Sequence, residues 1–388
     1  MSAPLSVAWI TYFPIEWLDD LPPELASLAK MHPATWQRVL LTELQKEANL
    51  RLHIIILRKQ FSRTQTFERG NATFHCIRIP GGWRAPSFFW TDTRCVARVL
   101  KSVKPDLVHA WGTENAAGLV ASRLGYPWIL TMQGIMNWMI ELGLANLYQR
   151  FAARLETTTL HRAEHVTAES NFAVDYLAKH YPGLKPKQIE HAPHSSFHEV
   201  SRQPRLDPRR IICIGTLSAA KGTDVLLQSL DSLCETHPFE LILVGGASAE
   251  AIQQYQASVS PQLWSRIQFK NHLTSAQIAE ELSSATLMVY PTRADNSPNA
   301  VKEAVVAGVP VVASAIGGIV DYVHPGKNGF LFPAGDINGC REAILAALQH
   351  ESLGKGQVPP ETLAQVRDYL SPATMSRKFL EAYRSAIS

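Results

Sequence analysis

The sequence predicts an α/β protein of two domains, and three observations carry that expectation. Short apolar, β-branched runs recur along the chain with helical stretches between them. The alternation pauses once, at the loop-like HAPHSSFHEVSRQPRLDPRR of residues 191–210, and then restarts. The 388 residues also exceed one ordinary core, since a domain usually runs to about 100–200 residues.

In the first half the strand candidates are SVAWIT (6–11), RLHIIIL (51–57), TFHCIRI (73–79), DLVHAW (106–111), PWILTM (127–132) and HVTAE (165–169). In the second half they are IICIGT (211–216), ELILVGG (240–246), RIQFKN (266–271), TLMVYPT (286–292) and VPVVAS (309–314). Near-continuous apolar runs alternating with helices are the signature of mostly parallel sheets buried on both faces. The expected division is residues 1–198, residues 199–370 and a last helix, 371–388. That helix carries Met375, Phe379, Leu380 and Tyr383 at helical spacing and is expected to cross back to the first domain. No short repeat period or low-complexity tract is visible, which disfavours solenoids.

The formal net charge of +3 is too small to point to nucleic acid. The balance is nevertheless uneven: residues 1–200 hold 21 Lys and Arg against 17 Asp and Glu, and residues 201–388 hold 16 against 17. Eight of the nine Trp also fall in the first half, which fits carbohydrate stacking, membrane contact, or large packing anchors. The five cysteines are scattered without CxxC spacing and read as reduced, structural thiols. The opening MSAPLSVAWITYFP has no basic leader, and no stretch approaches 18 uninterrupted apolar residues. The expectation is a cytoplasmic protein, at most peripheral at the inner face of a membrane.

In open parallel sheets ligands bind beyond the carboxyl ends of the strands, so chemistry is sought in the loops there. DLVHAWGTE places His109 and Glu114 at such an end, and TMQG places Gln133. GTLSAAKG (215–222) joins a strand to a helix and offers Gly215, Lys221 and Gly222, a lysine beside exposed helix N–H groups that suits a phosphate. It lacks both the GxxxxGK[ST] and the GxGxxG spacing. A solvated lysine on a small-residue turn is the competing reading.

The stretch DNSPNAVKEAVVAGVP (295–310) reads as a short helix with Ser297 as N-cap, Pro298 as first helical residue and Gly308 at its end. The free N–H groups of Asn299 and Ala300 then form an anion site. Glu303 lies roughly 7–8 Å along the axis from Pro298, compatible with a phosphate at the helix start and sugar hydroxyls at the carboxylate. Asp295, in the loop, can accept from another polyol. The alternative is that Asp295 complements the helix dipole while Glu303 pairs with Lys302 or another base.

In order and spacing, GTLSAAKGTDVLLQSL, ELILVGG and YPTRADNSPNAVKEAVVAGVPVVASAIGGIVDYVHPGKNGFLFPAGD resemble the donor domain of retaining glycosyltransferase family 4, the glycosyl transferases group 1. DLVHAWGTENAAGLVASRLGYPWILTMQG extends the resemblance, more loosely, to the first domain. The resemblance implies the GT-B fold: an N-terminal acceptor-side and a C-terminal donor Rossmann-like domain with a cleft between them. It also implies a hexosyltransferase that uses a nucleoside-diphosphate sugar as co-substrate and neither cofactor nor metal. The family's acid pair falls on Asp295 and Glu303, the first acid being one methylene shorter than the usual Glu. Carried over by position, Glu303 holds the donor ribose and Lys221 meets the diphosphate beside Gly215 and Thr216. Asp295 holds the donor sugar together with the backbone around Asn296, Ser297, Pro298, Asn299 and Ala300.

Three departures stand out. Thr216 replaces the usual Arg, Gln133 replaces the usual His before Gly, and the first βα loop, TYFPIEWLDDLPPELASLAKMHPATW, lacks a glycine pair. Gln133 hydrogen-bonds but does not titrate near neutral pH. His109 is read either as a contact to sugar or acceptor or as a packed, hydrogen-bonded residue, and Glu114 either as an acceptor contact or as structural. The expected function is hexose transfer to a carbohydrate or lipid-linked acceptor in polysaccharide or glycoconjugate assembly, with no nucleic acid partner, room for peripheral membrane contact, and the oligomeric state left open. The alternatives are a catalytically degenerate sugar-nucleotide-binding protein and a sugar-nucleotide epimerase on a related fold.

Overall fold

Strands in this chain are written by runs of β-branched and aromatic residues, and in the computed structural model, which describes residues 4–31, 34–271 and 273–388, they build two separate sheets. The chain divides into two compact units. The first contains Met1–Glu169, Ala173–His191 and Pro372–Ser388, and the second Ser170–Phe172 and Ala192–Ser371.

The first unit holds β1 (Leu5–Ile10), β2 (Leu50–Arg58), β3 (Gln65–Arg69), β4 (Ala72–Arg78), β5 (Leu107–Trp111), β6 (Trp128–Met132), β7 (His165–Ala168) and β8 (Lys187–Gln188). Their order across the sheet is β3-β4-β2-β1-β5-β6-β7-β8. All neighbours are parallel except β3 and β4, an antiparallel pair at the edge. β1 lies between β2 and β5, so chain order reverses there and the loops after β1 and β5 diverge. The C-terminal helix Pro372–Ile387 packs in this unit against the helix Thr35–Leu44 and against β5 and β6. Met375, Phe379, Leu380 and Tyr383 are its buried stripe, spaced as a 3.6-residue period requires.

The second unit holds β9 (Arg209–Ile214), β10 (Phe239–Val244), β11 (Ile267–Lys270), β12 (Leu287–Tyr290), β13 (Val311–Ser314) and β14 (Gly329–Phe332), in the order β11-β10-β9-β12-β13-β14. Every pair is parallel. Alternate residues enter opposite faces of this sheet: Ile211, Leu243 and Val289 join one apolar core, Ile212, Ile242 and Met288 the other. That is the period-2 rule applied to strands buried on both sides, each such side chain contributing about 1.5–3 kcal/mol by leaving water. β9 sits between β10 and β12, so the switch point of this unit lies between β9 and β12, the place where open parallel sheets bind ligands beyond their strand ends.

Candidate functional site

Three loops of the second unit converge at that switch point: Gly215–Gly222 after β9, Pro291–Pro298 after β12, and Ala315–Gly318 after β13. Two glycines allow the approach. Gly222 (φ +71°) leads into the helix Thr223–Asp231, and a Cβ there would overlap the Pro291 carbonyl. Gly317 (φ +57°) would likewise collide with the carbonyl of Asp295. Both need the left-handed conformation that glycine adopts without strain. The loops are further tied by Arg293 N–H donating to the Ala220 carbonyl at 2.9 Å and by Gly318 N–H donating to the Asn296 carbonyl at 2.5 Å. Arg293 also grips Asp224 with two guanidinium bonds of 2.7 Å each, which hold the Asp224 carboxyl below its usual range.

Lys221 and Asp295 meet within this frame. Lys221 Nζ donates to Asp295 Oδ2 at 2.5 Å and to Tyr290 Oη at 3.3 Å, and Tyr290 Oη donates to the same Asp295 oxygen at 3.0 Å. Tyr290 is buried at the end of β12, and burial, with the Asp295 charge behind it, raises its phenol well above the ordinary value. Its proton therefore stays in place as a donor. The Lys221 side chain is about one third exposed and the Asp295 side chain half as much, so the pair borders solvent rather than filling the core. Thr216 is exposed on the neighbouring turn.

The helix carrying the second acid begins one residue later than the sequence suggests: Pro298, with extended φ and ψ, is the N-cap and Asn299–Ala307 the helix. Ser297 precedes the cap, and its hydroxyl lies 3.3 Å from Tyr322 Oη. A helix Pro needs no N–H of its own at this point, and the amides of Asn299 and Ala300 remain without intrahelical partners. Asn296 Oδ1 accepts from Ser170 Oγ at 2.8 Å, which fixes the loop just before the helix. Glu303, one turn on, is only 8 % exposed. Its carboxylate accepts no hydrogen bond from any described residue, and burial pushes its pKa up to about 8 against the weaker opposing pull of Lys302.

In the first unit, Glu114 spans the ends of two strands. Its Oε2 accepts from Thr113 N–H at 3.0 Å and its Oε1 from Gly134 N–H at 2.9 Å, and burial still raises its pKa. Gln133 lies beside it, its Oε1 bordering the same Gly112 that faces Glu114. His109 is elsewhere. It has no exposed surface, its Nδ1 lies 2.8 Å from Tyr383 Oη and its Nε2 2.7 Å from Thr131 Oγ1. Burial and the nearby His191 hold it well below its usual pKa, in the neutral form. The packed reading of His109 is the one its geometry matches: it is the middle residue of β5, not its end, and its ring is turned to Tyr383 of the C-terminal helix.

Sequence reasoning overlooked Tyr290, Arg293 and Asp224. In sequence Tyr290 is one more residue of the apolar run TLMVYPT, although a phenol one residue before a loop proline is a usable polar signal. Glu156, buried and raised to about 7, was also unremarked. It is occupied in holding the Met136 and Asn137 amides at 2.8 and 3.0 Å. Among the described residues no group of three or more His, Cys, Asp or Glu is placed to hold a metal ion.

The family described as Glycosyltransferase Family 4 matches residues 39–195, and the one described as Glycosyl transferases group 1 matches residues 208–350. Among curated proteins the chain is 22% identical over 253 residues to a glycogen synthase of Mycobacterium tuberculosis. That match covers 64% of this chain and 61% of the relative, so the chain spans less than two thirds of that protein. Among solved structures it superposes on the sucrose-phosphate synthase of Thermosynechococcus elongatus with a TM-score of 0.75 at 16% identity, covering 98% of both chains. It superposes on Anabaena HepE in complex with UDP and glucose with a TM-score of 0.71 at 14% identity, covering 98% of this chain and 100% of that one. Both halves of the sequence and the path of nearly the whole backbone lead to one conclusion: the chain has the GT-B fold and belongs to glycosyltransferase family 4, among the glycosyl transferases group 1.

Proposed function

We propose that the protein transfers a hexose, with retention of configuration, from a nucleoside-diphosphate sugar to an acceptor hydroxyl in polysaccharide or glycoconjugate assembly. The observation that carries the reading is Glu303: a buried carboxyl without a hydrogen-bond donor among the described residues, on the same helix whose amides at Asn299 and Ala300 have no intrahelical partner. A nucleotide sugar matches both features at once. Its ribose hydroxyls donate to Glu303 and its diphosphate takes the helix start. HepE, whose structure holds UDP and glucose, supports the same class of ligand.

In this reading Asp295 orients the donor sugar and Lys221, already held against it, turns to the diphosphate as charge builds on the leaving oxygen. Fixed positive dipoles and a lysine stabilise that charge as it develops. The acceptor oxygen bonds to the anomeric carbon on the face from which the diphosphate departs. The bond from that carbon to the phosphate oxygen breaks, and the acceptor proton passes to a phosphate oxygen. Positive charge thus comes from the chain itself. Glu114 and Gln133 are assigned to the acceptor side.

The test is Glu303→Ala. Transfer is expected to be abolished and nucleotide binding weakened, and unchanged kinetics in that variant would sink the reading. The competing reading, binding without catalysis, draws on Lys221 being engaged by Asp295 where the family's usual Arg is Thr216. Slow release of free sugar from a sugar nucleotide in water decides against it.

A further inference from the structure

One face of the first unit is built unlike the rest of its surface. The groove between the segment Pro86–Trp90 and the helix Leu147–Leu160 has a volume of about 480 Å³. Phe88, Trp90 and Phe151 line it together with Arg123, Arg154 and Arg162. Phe88 is 61% exposed and Trp90 52%. The helix brings one stripe to this face, because Leu147, Phe151, Arg154 and Thr158 follow at steps of three and four residues, and Arg162 stands two residues past its end. Leu147, at the head of the stripe, is 87% exposed.

The three arginines have no carboxylate partner within ion-pair distance among the described residues. Arg123 stacks over the Trp90 ring at 4.5 Å and donates to the Phe88 carbonyl at 2.6 Å, while Arg162 donates to Ser122 Oγ at 3.5 Å. Burial, and next to it Arg162, pull the Arg123 guanidinium below its ordinary range, so the two cations feel each other. Like charges gathered around an apolar groove without a counter-ion call for an anion that brings apolar surface with it. Guanidinium forks match phosphate oxygens two at a time. Tryptophan and phenylalanine beside arginine is the composition that settles at a lipid–water boundary. No helix among the described residues is long and apolar enough to cross a membrane, so such contact would lie in the interface plane.

We propose that this face docks on the surface of an anionic phospholipid bilayer, with Leu147, Phe88 and Trp90 entering the headgroup layer and Arg123, Arg154 and Arg162 binding lipid phosphates. The inference goes beyond hexose transfer and does not depend on it, since its readout is binding alone.

The experiment is co-sedimentation of the full chain with phosphatidylcholine vesicles, with and without phosphatidylglycerol, at low and high salt. The expected result is pelleting only with the phosphatidylglycerol vesicles, weakened by salt. Arg154→Gln with Arg162→Gln is expected to weaken that binding roughly 30-fold, at about one kcal/mol per arginine near an anionic surface. Leu147→Ser, at a side chain too exposed to support the fold, is expected to weaken it as well. Equal binding to both vesicle types, no binding to either, wild-type binding by both variants, or full displacement by inorganic phosphate at constant ionic strength would each overturn the proposal.

Discussion

Lys221 and Asp295, on loops 74 residues apart, are locked together at 2.5 Å with the buried Tyr290 hydroxyl bonded to both. Removing either charge leaves the other beside a phenol that does not ionise. Lys221→Ala is therefore expected to lower kcat by about 10²–10³-fold, the usual cost of losing a donor aimed at developing charge. Asp295→Asn should cost less, and the double variant little more than Lys221→Ala alone. Additive losses in steady-state kinetics would show that the two side chains do not act as a unit.

Glu303 has its own pH signature. Ribose hydroxyls donate best to the ionised carboxylate, and ionisation is held back to about pH 8. Affinity for a nucleoside diphosphate is expected to rise between pH 6 and pH 8.5 in the wild type and to stay flat in Glu303→Gln. Glu303→Ala is expected to bind about 10²-fold more weakly, two charge-assisted hydrogen bonds being lost. Titration calorimetry across that pH range reads both effects.

The same carboxyl sets a stability trend of defined sign. Its folded-state pKa of about 8 lies above the unfolded value of 4.5, so the fold holds the proton more tightly than the unfolded chain does. The stability this contributes is complete below pH 4.5 and is lost as pH rises through about 8. Glu303→Gln, which never ionises, should melt several degrees above the wild type at pH 9 and close to it at pH 5, as thermal unfolding at both pH values would reveal.

Positive charge at the proposed leaving group comes from Lys221 and the helix start at Asn299. Transfer is accordingly expected to persist after dialysis against a chelator. A rate that collapses with EDTA and returns with a divalent cation would contradict that source of charge.

Gly222→Ala tests the loop frame. The variant must hold a left-handed φ, at about 1–2 kcal/mol, and also displace the Pro291 carbonyl. A loss of roughly 3 kcal/mol in urea unfolding is expected, with donor binding weakened in proportion.

Much of the strand pattern is legible because β-branched runs buried on both faces leave few alternatives. Three strands escaped notice. β3 (QTFER) is a half-exposed antiparallel edge with polar residues interleaved, β8 is two residues long, and β14 (GFLF) is short and begins at a glycine. The first two lack the apolar run that marks a buried strand, and the third offers only three apolar residues between Gly329 and Pro333. The acids of DNSPNAVKE are singled out by the family resemblance, since their spacing alone fits a dipole complement and a Lys302 pair as well, whereas the Lys221–Asp295–Tyr290 contact needs two distant loops to close and leaves no local trace. The one-residue displacement of the N-cap to Pro298 reflects backbone geometry, since Ser297 is also a good cap by residue type. His109 illustrates the converse: the sequence puts it at a strand end open to a ligand, whereas β5 runs two residues further and the ring packs on Tyr383.

The placement of Pro372–Ser388 in the first unit bears on how the protein is made. Trp9 on β1 donates to Tyr383 at 3.1 Å, so β1 is completed by a helix residue 374 positions further along the chain. The first unit therefore cannot be complete until residues 372–388 have been synthesised, after every segment of the second unit. The second unit, whose segments are all translated earlier, can close while the nascent first unit still waits, and a premature stop after residue 371 would leave Trp9, His109 and Trp111 uncovered for quality control to find.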